Sequence, residues 1–111
     1  MATKTVADAL HVFYDLNREF ENAYWETNDI NNKDLFFAMK SLLQEELDEL
    51  HKLSVQDHEY PYEPSTPSVI KLSRKLRNLL PDLDGLLFRT ETITTLEELI
   101  PRACELFESR G

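Results

Sequence analysis

With 111 residues, the chain is expected to form one domain, residues 1–111, around a single core, since a chain of this size buries roughly two-thirds of its unfolded surface. Its formal net charge of −9 repels phosphate backbones and anionic lipid, which argues against membrane or direct nucleic-acid binding and favours a basic protein partner. One cysteine excludes an internal disulfide and two glycines exclude a glycine-rich phosphate loop. The opening MATKTVADAL has no apolar run of signal-peptide type, so a cytoplasmic protein is expected.

Thr5 followed by Asp8 reads as a capping box and predicts a first helix over 6–26. Val6, Leu10, Phe13, Leu16, Phe20 and Tyr24 recur at helical spacing, and Tyr14 and Trp25 help widen the stripe until only His11, Asp15, Arg18, Glu19, Asn22 and Glu26 form a purely polar sector. Asn17 and Glu21 project into the apolar sector. So wide an apolar face must be covered from two sides, either as the central helix of a small bundle or by a second copy. The sequence therefore predicts a homodimer with Tyr14 and Trp25 on the dimer face.

The turn-forming run TNDINN makes the first two helices an antiparallel pair. The second predicted helix, within 32–54, starts from a cap at Asn31 or Asn32 and carries Leu35, Phe36, Met39, Leu42, Leu43, Leu47, Leu50 and Leu53 along one arc. Glu46 falls inside that arc and Glu49 at its edge. A buried carboxylate needs a partner, and two kinds are available. One is a cation such as Arg77 or Lys71. The other is a polar pocket in which Glu46 and Glu49 meet Glu21 or Asp82 around a divalent ion.

After Ser54 the periodicity stops, and Pro61 and Pro64 make SVQDHEYPYEPST a long connection. Tyr60 and Tyr62 flank Pro61 and either pack across the bundle end or form the aromatic part of a binding surface. Ser65 or Thr66 then caps a third helix with Pro67 in its first turn and Val69, Ile70, Leu72, Leu76, Leu79 and Leu80 on its core face. Lys71, Arg74, Lys75 and Arg77 form the chain's basic cluster and are expected to face the carboxylates of the second helix. Pro81 stops that helix, a short helix is expected in PDLDGLLF, and Thr94 or Thr95 caps a last helix over 96–109, kinked or split by Pro101. Cys104 reads as a small buried hydrophobe.

The predicted fold is thus all-α: a compact bundle of about four helices, the first two long and antiparallel, with a long Pro- and Tyr-containing loop before the third. Residues 1–66 hold 14 acidic against 5 basic residues and residues 67–111 hold 7 against 7, so the whole excess lies in the first part. The functional expectation is a non-catalytic interaction or regulatory module, of inhibitor or immunity type, binding a basic partner through Glu45, Asp48, Tyr60 and Tyr62, with neither catalytic residues nor a cofactor. His11, His51 and His58 lack zinc-site spacing, and Asp48 with His51 supplies a di-iron motif once where two are required.

The run Glu45-Glu46-Leu47-Asp48-Glu49, spaced E-E-x-x-E, resembles half of the magnesium site in the all-α nucleoside triphosphate pyrophosphatases of the MazG type. The resemblance implies an alternative function, magnesium-dependent hydrolysis with Glu45, Glu46 and Glu49 as Mg²⁺ ligands. The family's second motif, E-x-x-D on the next helix, does not occur in KLSRKLRNLLPDLDGLL, where Asp82 and Asp84 are the carboxylates.

Overall fold

In the computed structural model, which describes residues 4–108, Thr5 opens α1 (Val6–Glu26) with the capping box its spacing predicts: its hydroxyl accepts from the Asp8 amide while the Asp8 carboxylate accepts from its own. Val6, Leu10, Phe13, Leu16 and Phe20 are buried. Asp29, one short connection later, caps α2 (Ile30–Leu50) by accepting from the Asn31 amide at 2.8 Å. The cap predicted at Asn31 or Asn32 therefore moves back, and both asparagines lie in the helix. At the other end α2 stops at Leu50, so Leu53 leaves the predicted stripe and is exposed.

Three cross-helix contacts fix the antiparallel register of this pair. Lys33 Nζ donates to the Tyr24 carbonyl at 2.7 Å, Lys40 pairs with Glu21 at 3.4 Å, and the Tyr14 hydroxyl meets His51 Nε2 at 2.6 Å. Residue numbers rise on α2 as they fall on α1. Glu21 thus turns to solvent, not into the apolar sector where its spacing put it, whereas Glu19, expected on the polar face, is buried. The helix is covered on two sides, by α2 and by the last helix.

The chain returns through a 3₁₀ turn at Val55–Glu59 and then runs extended beside the start of α1. There Val6 N donates to Tyr60 O at 2.9 Å and Tyr62 N to Lys4 O at 2.8 Å, framing a bridge between Thr5 and Pro61. α3 (Ser68–Leu79) follows, buried on Val69, Leu72, Ser73, Leu76 and Leu79. A 3₁₀ turn at Leu80–Asp82 and the single-turn α4 (Leu83–Leu86) realise the expected short helix.

α5 (Thr90–Phe107) begins six residues before its predicted start. Its cap comes from another helix. The Glu26 carboxylate at the end of α1 accepts from the amides of Phe88 and Arg89, at 3.1 and 2.6 Å, and from the Thr92 hydroxyl at 2.9 Å. An anion at a helix N-terminus satisfies donors that have no intrahelical acceptor and meets the positive end of the dipole. Thr95, expected as a cap, instead donates its hydroxyl to the Glu91 carbonyl inside the helix. Pro101 neither ends nor divides the element: it sits on the exposed side, and the helix continues through it.

α5 lies antiparallel to α1, held at one end by Glu26 and at the other by Phe13 and Phe107, whose rings stack at 5.0 Å. α3 packs on both α2 and α5, so α1, α2, α3 and α5 close a ring of contacts. Phe13, Leu16, Phe20, Phe36, Met39, Leu43, Leu72, Leu76 and Leu96 fill its interior. The chain is the all-α bundle its periodicity predicts. No helix among the described residues is long and apolar enough to cross a membrane.

Replacing Glu26 by alanine removes the acceptor for two backbone donors at the start of α5. Loss of a cap costs about 1 to 2 kcal/mol, so a melt followed by circular dichroism is expected to shift down by several degrees. Glu26→Gln, which keeps one acceptor oxygen, should lose less. Equal melting of all three proteins would show that the cap contributes nothing.

Candidate interaction surface

Glu46 is carried into the bundle by Leu43, Leu47 and Leu50, which share its side of α2, and it is 0 % exposed. Its carboxylate is fully hydrogen-bonded. Oε2 accepts from the Tyr62 hydroxyl at 2.6 Å and from Ser65 N at 2.9 Å; Oε1 accepts from Thr66 N at 3.0 Å and from the Thr66 hydroxyl at 3.1 Å. Pro64 and Pro67 have no N–H, so Ser65 and Thr66 supply the two amide donors of this P-S-T-P run. Burial, then the bond to Glu46 and its charge, push the Tyr62 phenol far above its usual range, so that it remains a proton donor. The Tyr62 ring also meets Phe13 edge-on at 5.4 Å.

Neither partner class expected for Glu46 is the one used. Arg77 is taken by Glu108, and Lys71 has no ion-pair partner among the described residues. Glu21 pairs with Lys40. The donors come from the irregular loop, about which periodicity is silent. The two amides of Ser65 and Thr66, which the sequence suggests as the cap of α3, bind this carboxylate instead, and Pro67 stands at the N-cap position with no side-chain cap bond.

The remaining glutamates of the E-E-x-x-E run are engaged separately, Glu45 by the Ser68 hydroxyl and Glu49 by Lys52 at 3.0 Å. Among the described residues no group of three or more His, Cys, Asp or Glu side chains is placed to hold a metal ion. A cation at Glu46 would have to displace Tyr62 and face the amide hydrogens of Ser65 and Thr66. This carboxylate does not fit the Mg²⁺-ligand role that the MazG resemblance implies.

The outer side of α2 has a different character. Ile30, Asp34, Phe37, Ser41, Glu45 and Asp48 recur at spacings of three and four and are all exposed. Phe37 is 63 % exposed, and among the described residues Asp34, Glu45 and Asp48 have no cationic partner. Among the described residues Asp48 accepts only from the neutral amide of Gln44. Phe37 falls outside the predicted core arc and was not singled out as a surface residue; its signal is its place seven residues from Ile30, on the side away from Met39 and Leu50.

The other candidate residues divide. Tyr60 is exposed on the loop, but Tyr62 belongs to the interior and is removed from the predicted interaction surface by its bond to Glu46. Tyr14 is half exposed beside His51, their rings stacked at 5.9 Å. Trp25 is 71 % exposed, against the edge of Tyr24, with Lys33 Nζ 5.4 Å from its ring centre.

On α3 the basic cluster makes no ion pair with α2 among the described residues. Burial of Val69, Leu72 and Leu76 turns Lys71, Arg74 and Lys75 to solvent, and none of the three has an ion-pair partner among the described residues. Arg77 grips Glu108 through two bonds of 2.6 Å, and the Ser73 hydroxyl adds a third of the same length. Those bonds hold the Glu108 carboxyl down at about 2. Cys104 is buried as expected; burial raises its thiol above the usual range, and Sγ lies 3.8 Å from the Ser73 carbonyl. Comparison of the chain with protein-family models, with curated proteins and with solved structures gives no match.

Two predictions follow from these carboxylates. Glu46→Gln places an NH₂ group against the loop amides and is expected to cost about 1 to 3 kcal/mol, measured by denaturant unfolding, while millimolar Mg²⁺ leaves the melting temperature of both proteins unchanged. A rise with Mg²⁺ in the unmodified protein alone would reinstate a metal site. For Glu108 the folded value lies below the ordinary one, so its contribution to stability is present above about 4.5 and is lost as pH falls toward 2. Carboxyl-carbon NMR should find its midpoint near 2, and Arg77→Gln should return it to the ordinary range; a midpoint unaffected by that substitution would refute the pairing in solution.

Proposed function

We propose that the chain is a non-catalytic protein-interaction module, of inhibitor or immunity type, that offers the outer side of α2 to a basic partner. The reading rests on one observation: an exposed stripe on which the apolar Ile30 and Phe37 alternate with Asp34, Glu45 and Asp48, carboxylates that no cation neutralises among the described residues. The two kinds of side chain have complementary uses. Unpaired surface charge steers an oppositely charged partner and sets the association rate, while a desolvated aromatic holds the complex once formed. The net charge of −9, concentrated in residues 1–66, extends that field well beyond the stripe. Trp25 and Tyr14 lie on the neighbouring α1 and are the first candidates for widening the contact, whether with the partner or with a second copy.

The experiment is a binding-kinetic one on a partner captured by the full chain. Its association rate should fall steeply between low and physiological salt and fall again for Asp48→Lys with Glu45→Lys. Phe37→Ala should instead speed dissociation by roughly tenfold or more, as expected for loss of an aromatic anchor. Kinetics indifferent both to salt and to these substitutions would remove the α2 stripe from the interface.

A further inference from the structure

A groove of about 780 Å³ runs between the loop at residues 63–67, the outer flank of α3 and the end of α5. Two cations, Arg74 and Arg77, and two carboxylates, Glu63 and Glu108, line it. Arg74 and Arg77 stand along one wall, Phe107 and Val69 are buried beneath it, and Ile70 is 54 % exposed at its edge. Pro64 and Pro67 stiffen the facing wall.

Glu108 shows what this groove can hold. Its carboxylate is bound by two guanidinium bonds and one hydroxyl bond, the planar fork geometry with which arginine recognises carboxylates. Arg74, three residues before Arg77 on the same flank, opens on the same groove and has no anionic partner among the described residues. The groove thus offers a second guanidinium and an adjoining apolar surface. In a chain of net charge −9 the outer side of α3, where Lys71, Arg74 and Lys75 have no anionic partner among the described residues, attracts an anionic segment that most of the surface repels.

We propose that this groove docks an acidic peptide segment of a partner protein, with a carboxylate on Arg74 and an apolar side chain over Ile70 and Phe107. Its occupant is a protein segment and not a nucleic acid. Glu63 and Glu108 also line the groove and would repel a continuous phosphate backbone, whereas a peptide can place a single carboxylate between them. The site is independent of the acidic stripe on α2, so either can fail without the other.

The test uses the full chain and a fluorescein-labelled, otherwise uncharged peptide with one glutamate beside one leucine, read by fluorescence anisotropy. Saturable binding is expected, weakened about tenfold or more by Arg74→Glu, the loss that corresponds to one charge-assisted bond. The same peptide with glutamine for glutamate should bind more weakly, and Asp48→Lys should leave binding unchanged. Arg74 is exposed, so its substitution should not alter the thermal melt; Arg74→Gln serves as the milder variant if it does. Absence of binding, binding indifferent to Arg74, equal competition by a single-stranded oligonucleotide, or tighter binding of a phosphoserine version of the peptide would each overturn the assignment.

Discussion

The structure depends on a carboxylate that water no longer reaches. Glu46 lies on α2, and each of its donors lies in a loop that reaches it only after the chain has left α2, crossed the end of the bundle and paired with the start of α1. A buried carboxylate without donors is very costly, so α2 can present Glu46 to the interior only if residues 62–66 come to it. That requirement places Tyr62 against Phe13 and fixes the point from which α3 starts. Glu26 repeats the device at the far end of α1, drawing in the start of α5. The first two helices therefore do more than pack. Each contributes one carboxylate that collects the backbone amides of a later segment.

Using loop amides in place of cations for this purpose has an electrostatic consequence at the surface. Because Glu46 does not consume Lys71, that residue remains on the outside with Arg74 and Lys75, and among the described residues Asp34, Glu45 and Asp48 of α2 have no cationic partner either. The molecule is left with an acidic stripe carrying Phe37 and a basic side of α3 carrying Ile70, separate surfaces of opposite sign. Had the cations of α3 paired with the carboxylates of α2, both would have been silent. Charged groups on a surface mainly set association rate and partner choice, and this fold keeps both signs available.

Much of the fold was legible in the sequence because helical periodicity reports directly on which side of a helix is buried. The limits of α1 and its capping box follow from Thr5, Asp8 and the stripe from Val6 to Tyr24, and the antiparallel pairing of α1 with α2 follows from the turn residues between them. What failed did so where the deciding partner is remote. The start of α5 is set by Glu26, 63 residues before Arg89 in the chain, and no local signal at Thr90 announces it. At Glu46 the conflict between charge and apolar neighbours was visible, but its resolution was not, since the donors are backbone N–H groups in a segment with no period. The α3 cations show the same limit at the surface, where identity is plain and pairing depends on how helices rotate against one another.

The placement of the two loop anchors also divides the long connection into parts with different freedoms. Residues 60–62 are tied to the start of α1 and residues 65 and 66 to Glu46, while Val55–Glu59 buries no residue. Whatever happens between Lys52 and Glu59 is therefore isolated from the register of α3. Loop closure grows costly only slowly with length, so this stretch can lengthen or shorten, accept an inserted peptide or be nicked while the bundle remains one body. It is the place in the chain where evolution, or an engineer, can add material without asking the core to refold around it.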